Sequence, residues 1–391
     1  MIGTRPLLLP RSDGKLEAYS PGEPSPFPQA ATPPRTRVAY AAAHVVCDPL
    51  ADVDPWLEAG VDWDATLAYR RHLWALGFAV AEAMDTAQRG MGMDWPMTQV
   101  LIRRALAEAS AVGAMDRIAC GAGTDQLSPS VGVTLQDVIA AYEEQCAFVE
   151  EHGGRIILMA SRALVACASG PDDYAQVYDR ILSQVRQPVI LHWLGDMFDP
   201  ALVGYWGSLD LDEATEVCLR LIQKHADKVD GIKVSLLDEQ HEVALRRRLP
   251  ASVRMYTGDD FNYPALIRGD ERGCSHALLG IFDAIAPAAA AALAALDRGD
   301  LAVYDAILTP TVSLSRHIFR APTRFYKTGI VFLAYLNGHQ RHFAMVGGQQ
   351  SARSIVHLAG IFRLADRAGL LRDPDQAQAR MRPILAVAGI D

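Results

Sequence analysis

The sequence predicts a closed (β/α)8 barrel, and three features of the chain lead to this prediction. Eight short runs rich in β-branched or small apolar residues alternate with longer segments of helical period. Strands that are each followed by a helix form a parallel sheet, and eight such units over about 250 residues match the size of a barrel. A doubly wound open sheet usually has a Gly-rich phosphate loop after its first strand, whereas the segment AAAHVVCDPLADVDP has no glycine.

Residues 1–36 are predicted to form a hairpin and a Pro-rich arm outside the barrel. Asp13 and Gly14 lie between the runs LLLP and LEAY, and Asp-Gly between strand-like runs favours a hairpin. The segment PGEPSPFPQAATPPR that follows is typical of an extended linker. We expect this arm to lie within reach of a neighbouring subunit.

The barrel is predicted over residues 37–297, and residues 298–391 are predicted to form a helical C-terminal extension packed on the outside of the barrel. The extension has segments of helical period and no further strand pattern. The eight predicted strands are RVAYAAAHVV, FAVAEAM, RIACGAG, RIILMAS, PVILHWL, GIKVSLL, VRMYTG and HALLGIF.

Composition and charge narrow the class of protein. Half of the residues are hydrophobic, and the net charge of −9 is spread along the chain, which argues against a nucleic-acid partner. The six cysteines are scattered without a CxxC pair, so we expect reduced thiols in a cytoplasmic protein. The apolar run at 284–296 is too short for a membrane span, so no membrane partner is expected either.

Candidate site residues lie at or near the carboxyl ends of most of the predicted strands, where the catalytic side chains of a parallel barrel lie. In strand order they are His44 and Asp48; Asp85, Thr86, Gln88 and Arg89; Ser161 and Arg162; His192 and Trp193; Lys233 and Ser235; and Gly258, Asp259 and Asp260.

Lys233 is the most informative of these residues because it interrupts an otherwise apolar strand. Desolvation of an amine at such a place lowers its pKa, and a neutral amine can attack a carbonyl group to form an imine. A strand-end lysine paired with Asp259 or Asp260 is an equally good interpretation of the spacing.

A family resemblance favours the nucleophile. The segment GIK in the sixth strand, followed by TGDD after the seventh, resembles the dihydrodipicolinate synthase and N-acetylneuraminate lyase family of class I aldolases. PVILHWLG, AIAP and KTGIVFLAYLNG are similar to further segments of that family, and the likeness extends over residues 37–390. The resemblance implies a Schiff base on Lys233, no cofactor or metal, a small carbonyl substrate, and a homodimer or homotetramer.

The chain also departs from the family pattern. The family's proton-relay tyrosine falls on His192, which could move the same proton or be a hydrogen-bonded core histidine. The family's GTTGE loop aligns with residues 85–89, where Thr86 is kept and Ala87 replaces the second threonine. We therefore expect a larger, hydroxyl-rich substrate. The expected substrate-binding residues are His44, Asp85, Thr86, Gln88, Arg89, Arg162, Gly258, Asp259 and Asp260.

Three functional hypotheses remain open. The first is a Schiff-base lyase or aldolase with Lys233 and His192 as catalytic residues. The second is a metal-dependent sugar isomerase or hydrolase whose ligands would be His44, Asp48, His192 and Asp259. The third is a catalytically silent barrel that binds a metabolite.

Overall fold

The barrel predicted from the alternating pattern is present in the computed structural model, which describes residues 6–130 and 132–390. Eight parallel strands close in the order β10-β3-β4-β5-β6-β7-β8-β9, and all eight coincide with predicted strands. The strands are the hairpin β1 (Leu7–Pro10) and β2 (Leu16–Tyr19), then β3 (Ala39–Ala42), β4 (Ala79–Glu82), β5 (Ile118–Ala122), β6 (Arg155–Leu158), β7 (Val189–Leu194), β8 (Val229–Ser235), β9 (Arg254–Thr257) and β10 (His276–Leu279).

Helices follow each barrel strand, and several begin at a residue that caps the first turn. Thr134 and Asp137 form a capping box, and the Asp62 carboxylate accepts from the Ala65 amide at 3.0 Å. The helices are α1 (Trp63–Ala75), α2 (Trp95–Ala111), α3 (Leu135–Glu151), α4 (Arg162–Cys167), α5 (Pro171–Gln184), α6 (Leu211–Lys224), α7 (Glu239–Arg246), α8 (Tyr263–Arg268), α9 (Ile281–Ala284), α10 (Ala286–Asp297), α11 (Leu301–Ile318), α12 (Tyr326–Leu336), α13 (Ile355–Arg367) and α14 (Pro374–Val387).

The barrel interior is filled by alanines, larger aliphatic side chains and two tyrosines. Alternate residues of each strand face inward, and Tyr40 and Tyr256 meet there edge to face with ring centroids 6.0 Å apart. Alanines such as Ala81 and Ala119 occupy inward positions of the neighbouring strands. The aromatic rings thus fill the lower part of the barrel, and the carboxyl ends of the strands are left for polar groups.

The helical C-terminal extension is present, and one of its helices lies closer to the barrel mouth than the sequence indicated. We expected the extension to pack on the outside of the barrel. Instead, every residue of α12 is buried, and its first residue, Tyr326, is bonded to Thr86 after β4 at 2.7 Å between the hydroxyl oxygens. The mostly apolar sequence of α12 explains this position, because a helix with apolar residues on all sides must be covered.

The N-terminal hairpin packs on its own chain. Leu7 and Leu9 are fully buried, and the Arg363 guanidinium of α13 donates to the carbonyls of Leu9 at 3.0 Å and Pro10 at 3.1 Å. Burial of two leucines stabilises this docking, a contribution that the linker-like composition of the arm does not reveal. Within the described ranges, no helix is both long and apolar enough to cross a bilayer.

Candidate active site

Lys233 lies on the inner face of β8, near the carboxyl end of the barrel. Its Cα is in register with His192 on β7 and with Tyr256 on β9, and Tyr256 belongs to the inward-facing core. Gly231 and Ser235, two residues away on either side, share this face because strand side chains alternate. Lys233 is 8 % exposed, so most of the residue is removed from water.

Burial decides the protonation of this amine. Desolvation lowers the pKa of Lys233 from 10.5 to about 8, although the negative charges of Asp260 and Asp85 oppose the shift. Burial likewise raises the pKa of Asp260, whose carboxylate accepts from the Ile281 amide at 2.8 Å. The site therefore holds an amine and an acid whose pKa values have both moved toward neutrality.

Gly258 is required by the path of the lysine side chain. A Cβ atom at this position would lie 2.7 Å from Lys233 Cε and would also overlap Ser235 Oγ. The glycine of the TGDD segment thus provides space for the lysine, which is a geometric role rather than a contact with substrate.

We expect Gly258→Ala to displace the Lys233 amine and lower kcat/KM by about 10²-fold, the scale of a 1 Å misplacement of a reacting group. The overlap should also destabilise the fold by about 1–3 kcal/mol, as overpacking usually does. Gly170→Ala is the matched control, because a Cβ there meets no atom within 4 Å. Steady-state kinetics and thermal unfolding measure both effects; wild-type kinetics in Gly258→Ala would contradict the assignment.

His192 lies beside the lysine and is neutral. Its Nε2 is 3.2 Å from Ser235 Oγ, and only 2 % of the residue is exposed. Burial, and then the charge of Lys233, hold the pKa of the imidazole well below its ordinary value of 6.5. A neutral imidazole has one donor and one acceptor nitrogen, so it can relay a proton at neutral pH.

Asp85 links the site to the C-terminal extension. Its carboxylate is 3.1 Å from the ammonium nitrogen of Lys327, a second buried lysine, which also donates to the Arg324 carbonyl at 3.0 Å. Burial lowers the pKa of Lys327 as well. Asp85 is therefore shared electrostatically by two lysines, Lys233 from the barrel and Lys327 from α12.

Sequence reasoning did not identify Tyr326 and Lys327 as site residues. The segment KTGIVFLAYLNG was interpreted only as a helix, although Lys327 is a single charge at the head of an apolar run. Lys233 is likewise a single charge within an apolar run, so the same pattern could have identified Lys327 as a candidate site residue. Its partner Asp85 could not be inferred, because the two residues are far apart in the chain.

A cavity of about 310 Å³ opens at the carboxyl ends of the strands. Asp85 and His192 contribute to the wall of this cavity, whereas Lys233 is not among its lining residues. The remaining wall combines apolar residues with polar side chains that suit a hydroxylated ligand. These include Thr124, Asp125, Ser128, Arg162 and Asp199.

The two arginines predicted to grip substrate have different environments. Arg89 donates to Asp125 at 2.9 and 2.6 Å, to the Gly121 and Ala83 carbonyls at 2.7 and 3.4 Å, and to Gln145. All five of its N–H groups are thereby used within the protein, which favours a supporting role for Arg89 in the cavity wall.

Arg162, by contrast, keeps its outer nitrogens near the cavity. Its Nε donates to Asp199, its side chain is 42 % exposed, and Nη1 lies 3.3 Å from where a Cβ of Gly90 would be. A guanidinium anchored through Nε presents its two Nη groups as a fork for an anion or a pair of hydroxyls.

Gln88 and Asp259 hold loops in place. Gln88 is fully buried, adopts the left-handed conformation (φ 63°), and donates to the Val346 carbonyl at 2.6 Å. Asp259 accepts from the amides of Phe261 and Asn262 at 2.8 and 3.0 Å, and from the Asn262 side chain. The expectation that these residues bind substrate is therefore not supported by their geometry, since their polar atoms face their own loops.

His44 is also directed away from the cavity. Its Nδ1 lies 2.9 Å from Asp283 Oδ2, its amide donates to the same carboxylate at 2.7 Å, and both side chains are fully buried. The metal-site hypothesis required His44, Asp48, His192 and Asp259 to converge, but His44, His192 and Asp259 are each bonded to a different partner. Moreover, no three His, Cys, Asp or Glu residues within 6–130 and 132–390 are grouped so that they could hold a metal ion.

The fold and this site define a class: a (β/α)8 barrel with a buried lysine on the inner face of its sixth strand. The chain belongs to the family described as "Protein of unknown function (DUF993)", whose profile matches residues 7–390. No curated protein matches the chain in sequence.

Solved structures similar to this chain belong to the dihydrodipicolinate synthase family, as the resemblance predicted. The Acinetobacter baumannii synthase complexed with pyruvate is 14% identical, with a TM-score of 0.62 over 86% of this chain and 100% of that one. YagE, a prophage protein of that family from E. coli K12 in complex with pyruvate, is 14% identical, with a TM-score of 0.62 over 91% and 99%. The Oceanobacillus iheyensis synthase is 14% identical, with a TM-score of 0.57 over 90% and 97%. At this identity the likeness establishes the shared fold.

Proposed function

We propose that this protein is a Schiff-base lyase or aldolase that acts on a small, hydroxyl-rich carbonyl compound. The observation that carries the proposal is the buried amine of Lys233, desolvated on the inner face of the barrel and flanked by a neutral imidazole and an acid. An amine with a lowered pKa is the nucleophile that imine chemistry needs near neutral pH.

The proposed reaction runs through an iminium ion on Lys233. The neutral amine attacks the substrate carbonyl, and the carbinolamine loses water after a proton is delivered to its hydroxyl group. A base then removes the proton of the hydroxyl group β to the iminium carbon, and the bond between the α- and β-carbons breaks to release a carbonyl fragment. The iminium nitrogen accepts the electron pair of that bond, which leaves an enamine. Protonation of the enamine carbon and hydrolysis of the imine release the product and return the amine.

We assign proton transfers of this reaction to His192 and Asp260. The His192 imidazole, hydrogen-bonded to Ser235 at 3.2 Å, can exchange a proton with the carbinolamine oxygen and remain neutral between steps. Asp260, whose pKa burial raises, can hold the proton released when the amine is engaged. The two groups thereby account for the proton transfers of carbinolamine formation and dehydration.

The cavity favours a substrate larger than pyruvate. The only hydroxyl retained from the family's paired threonines, that of Thr86, is already bonded to Tyr326 at 2.7 Å, and Ala87 beside it is buried. A small carboxylate there would lack a partner, which costs about 1–3 kcal/mol. The Arg162 fork and the hydroxyl groups of the wall instead suit a sugar-like ketone or keto-acid.

Reductive trapping tests the proposal directly. The protein is incubated with borohydride and a panel of sugar-like ketones, keto-acids and pyruvate, and peptide mass analysis locates the adduct. We expect a saturable adduct on Lys233 with a hydroxylated ketone or keto-acid, and poor labelling with pyruvate. No adduct with any carbonyl compound would remove the imine mechanism and favour a metabolite-binding barrel. Fast, saturable labelling at sub-millimolar pyruvate would contradict the substrate class alone.

The pH dependence provides a second prediction. Because only the neutral amine attacks, kcat/KM should rise with pH and level off above about 8, the pKa to which burial lowers Lys233. Asp85→Asn removes a negative charge near the amine and should move this limb to lower pH. Lys327→Met removes a positive charge, leaves the Asp85 carboxylate without its partner, and should move the limb to higher pH.

Lys327→Arg is the matched control for this prediction, since it keeps the charge and should keep the limb in place. Imine trapping as a function of pH provides the same pKa independently of turnover. Shifts of both variants in one direction would show that Asp85 and Lys327 act through packing and not through charge.

We also infer a homodimer or homotetramer in a reducing, cytoplasmic setting. The family resemblance supports the oligomer, and the six free cysteines support the setting. Light scattering coupled to gel filtration measures the oligomeric state.

A further inference from the structure

Four arginines lie at the amino ends of four barrel strands. Arg37 comes two residues before β3, Arg117 comes directly before β5, and Arg155 and Arg254 are the first residues of β6 and β9. Because the amino ends of parallel strands meet at one face, these side chains are brought together at the bottom of the barrel, opposite the candidate active site. In a chain of net charge −9, this is a local concentration of positive charge.

A cleft of about 630 Å³ lies at this face, and all four arginines line it. Its acidic residues are Asp116 and Asp230, so four positive charges face two negative ones. Residues 31–34 of the N-terminal arm form one side of the cleft. The cleft is large enough for a small metabolite and carries an excess of positive charge.

Asp230 cannot neutralise the arginines beside it. Its Oδ1 is shared by Arg254 and by Arg155, the latter at 3.4 Å, while its Oδ2 accepts from the Tyr256 hydroxyl at 2.7 Å. Each guanidinium has five N–H donors, so a single carboxylate oxygen leaves most of them available. Both guanidiniums are also reachable from solvent, with side chains 31 % and 42 % exposed for Arg155 and Arg254.

The other two arginines are bonded to neutral acceptors and keep their full charge in the cleft. Arg37 donates to the carbonyls of Ile267 at 2.7 Å and Arg268 at 3.1 Å, and Arg117 donates to the Trp74 carbonyl at 2.9 Å. These bonds hold the guanidiniums in position without cancelling their charge.

A nearby histidine responds to this charge. Burial, and then the charges of Arg254 and Arg37, lower the pKa of His276 at the start of β10 to about 4. The positive potential at the bottom of the barrel thus acts on a group that is not part of the cleft.

We propose that this cleft is a binding site for a phosphate-bearing small metabolite, held by the forks of Arg155 and Arg254 and attracted by Arg37 and Arg117. Guanidinium groups bind phosphate oxygens through paired, charge-assisted hydrogen bonds, and this geometry discriminates phosphate from a simple point charge. The site is independent of the chemistry at Lys233. The competing interpretation is that the arginines only close the floor of the barrel.

Binding of inorganic pyrophosphate to the full chain tests the proposal, by calorimetry at constant ionic strength because salt screens such contacts. We expect saturable binding that Arg155→Met and Arg254→Met each weaken by about tenfold or more, the cost of a lost charge-assisted pair. Arg341→Met, at an exposed position, should leave the affinity unchanged, and Arg162→Met, at the opposite end of the barrel, detects any binding in the active-site cavity.

Arg117→Met provides a further cleft variant should one of the first two fail to fold. The absence of saturable pyrophosphate binding would overturn the proposal. So would affinity that survives in the cleft variants, or that is lost only in Arg162→Met, because the ligand would then occupy the active-site cavity. Cleft variants that are less stable but bind pyrophosphate as the wild type does would assign the arginines to the barrel floor.

Discussion

Lys233→Ala is expected to lower kcat by about 10⁴-fold or more, the usual consequence of removing a catalytic nucleophile. In the proposed mechanism the amine forms the covalent intermediate, and Ser235, the other polar side chain on the inner face of β8, cannot form an imine. The variant should also give no borohydride adduct. Its fold should persist, because Asp260, which loses its nearby cation, still accepts from the Ile281 amide and becomes protonated more readily.

The chain offers a matched control in its second buried lysine. Lys327 also lies near Asp85, but its ammonium is bonded to Asp85 and to the Arg324 carbonyl. Lys327→Ala should therefore still be labelled at Lys233, whatever its effect on rate. Labelling that moves to Lys327, or turnover that survives in Lys233→Ala, would assign the chemistry to a different residue.

His192→Phe is expected to lower kcat by about 10²–10⁴-fold, the range that a positioned general acid–base contributes. Phenylalanine keeps a ring of similar size in a buried position and removes both nitrogens. Because the amine is still present, borohydride should still trap an imine on Lys233. Trapping should be slower than in the wild type, since the imidazole no longer exchanges a proton with the carbinolamine oxygen. Removal of the imidazole should also leave the pH limb near 8 in place, because that limb belongs to the lysine.

Ser235→Ala separates the relay from its support. This variant removes the hydroxyl that lies 3.2 Å from His192 Nε2 but leaves the imidazole in place, so a smaller loss is expected. Equal turnover of His192→Phe and the wild type between pH 6 and 8 would reduce His192 to a packing residue.

The sequence by itself determined the architecture of this protein. Eight short apolar runs separated by amphipathic segments specify a parallel barrel, because each pattern matches the period of one type of element and short loops leave few ways to connect them. The position of Lys233 followed from the same rule. A charged side chain within a buried strand is expected to lie near the carboxyl end of the barrel, where the polar groups lie. Gly258, directly after β9, leaves the space that the Lys233 side chain occupies.

Only the tertiary structure decided which polar side chains meet. Arg89 and Arg162 both come just after a predicted strand, so the sequence does not distinguish them. In the structure, Arg89 is fully bonded within the cavity wall, whereas Arg162 presents a fork to the cavity. His44 comes just after the end of β3, and His192 lies near the end of β7. The partner of His44, however, is Asp283, which belongs to a helix more than two hundred residues away.

The physical reason is that local pattern reports the face and burial of a residue but not its partner. The pairing of Asp85 with Lys327 depends on the burial of every residue of the mostly apolar helix α12 at the barrel mouth. That packing brings together segments separated by about 240 residues. Hydrogen bonds and close ion pairs form only over a few ångströms, so packing decides which groups become partners. The composition of either segment alone does not identify these partners.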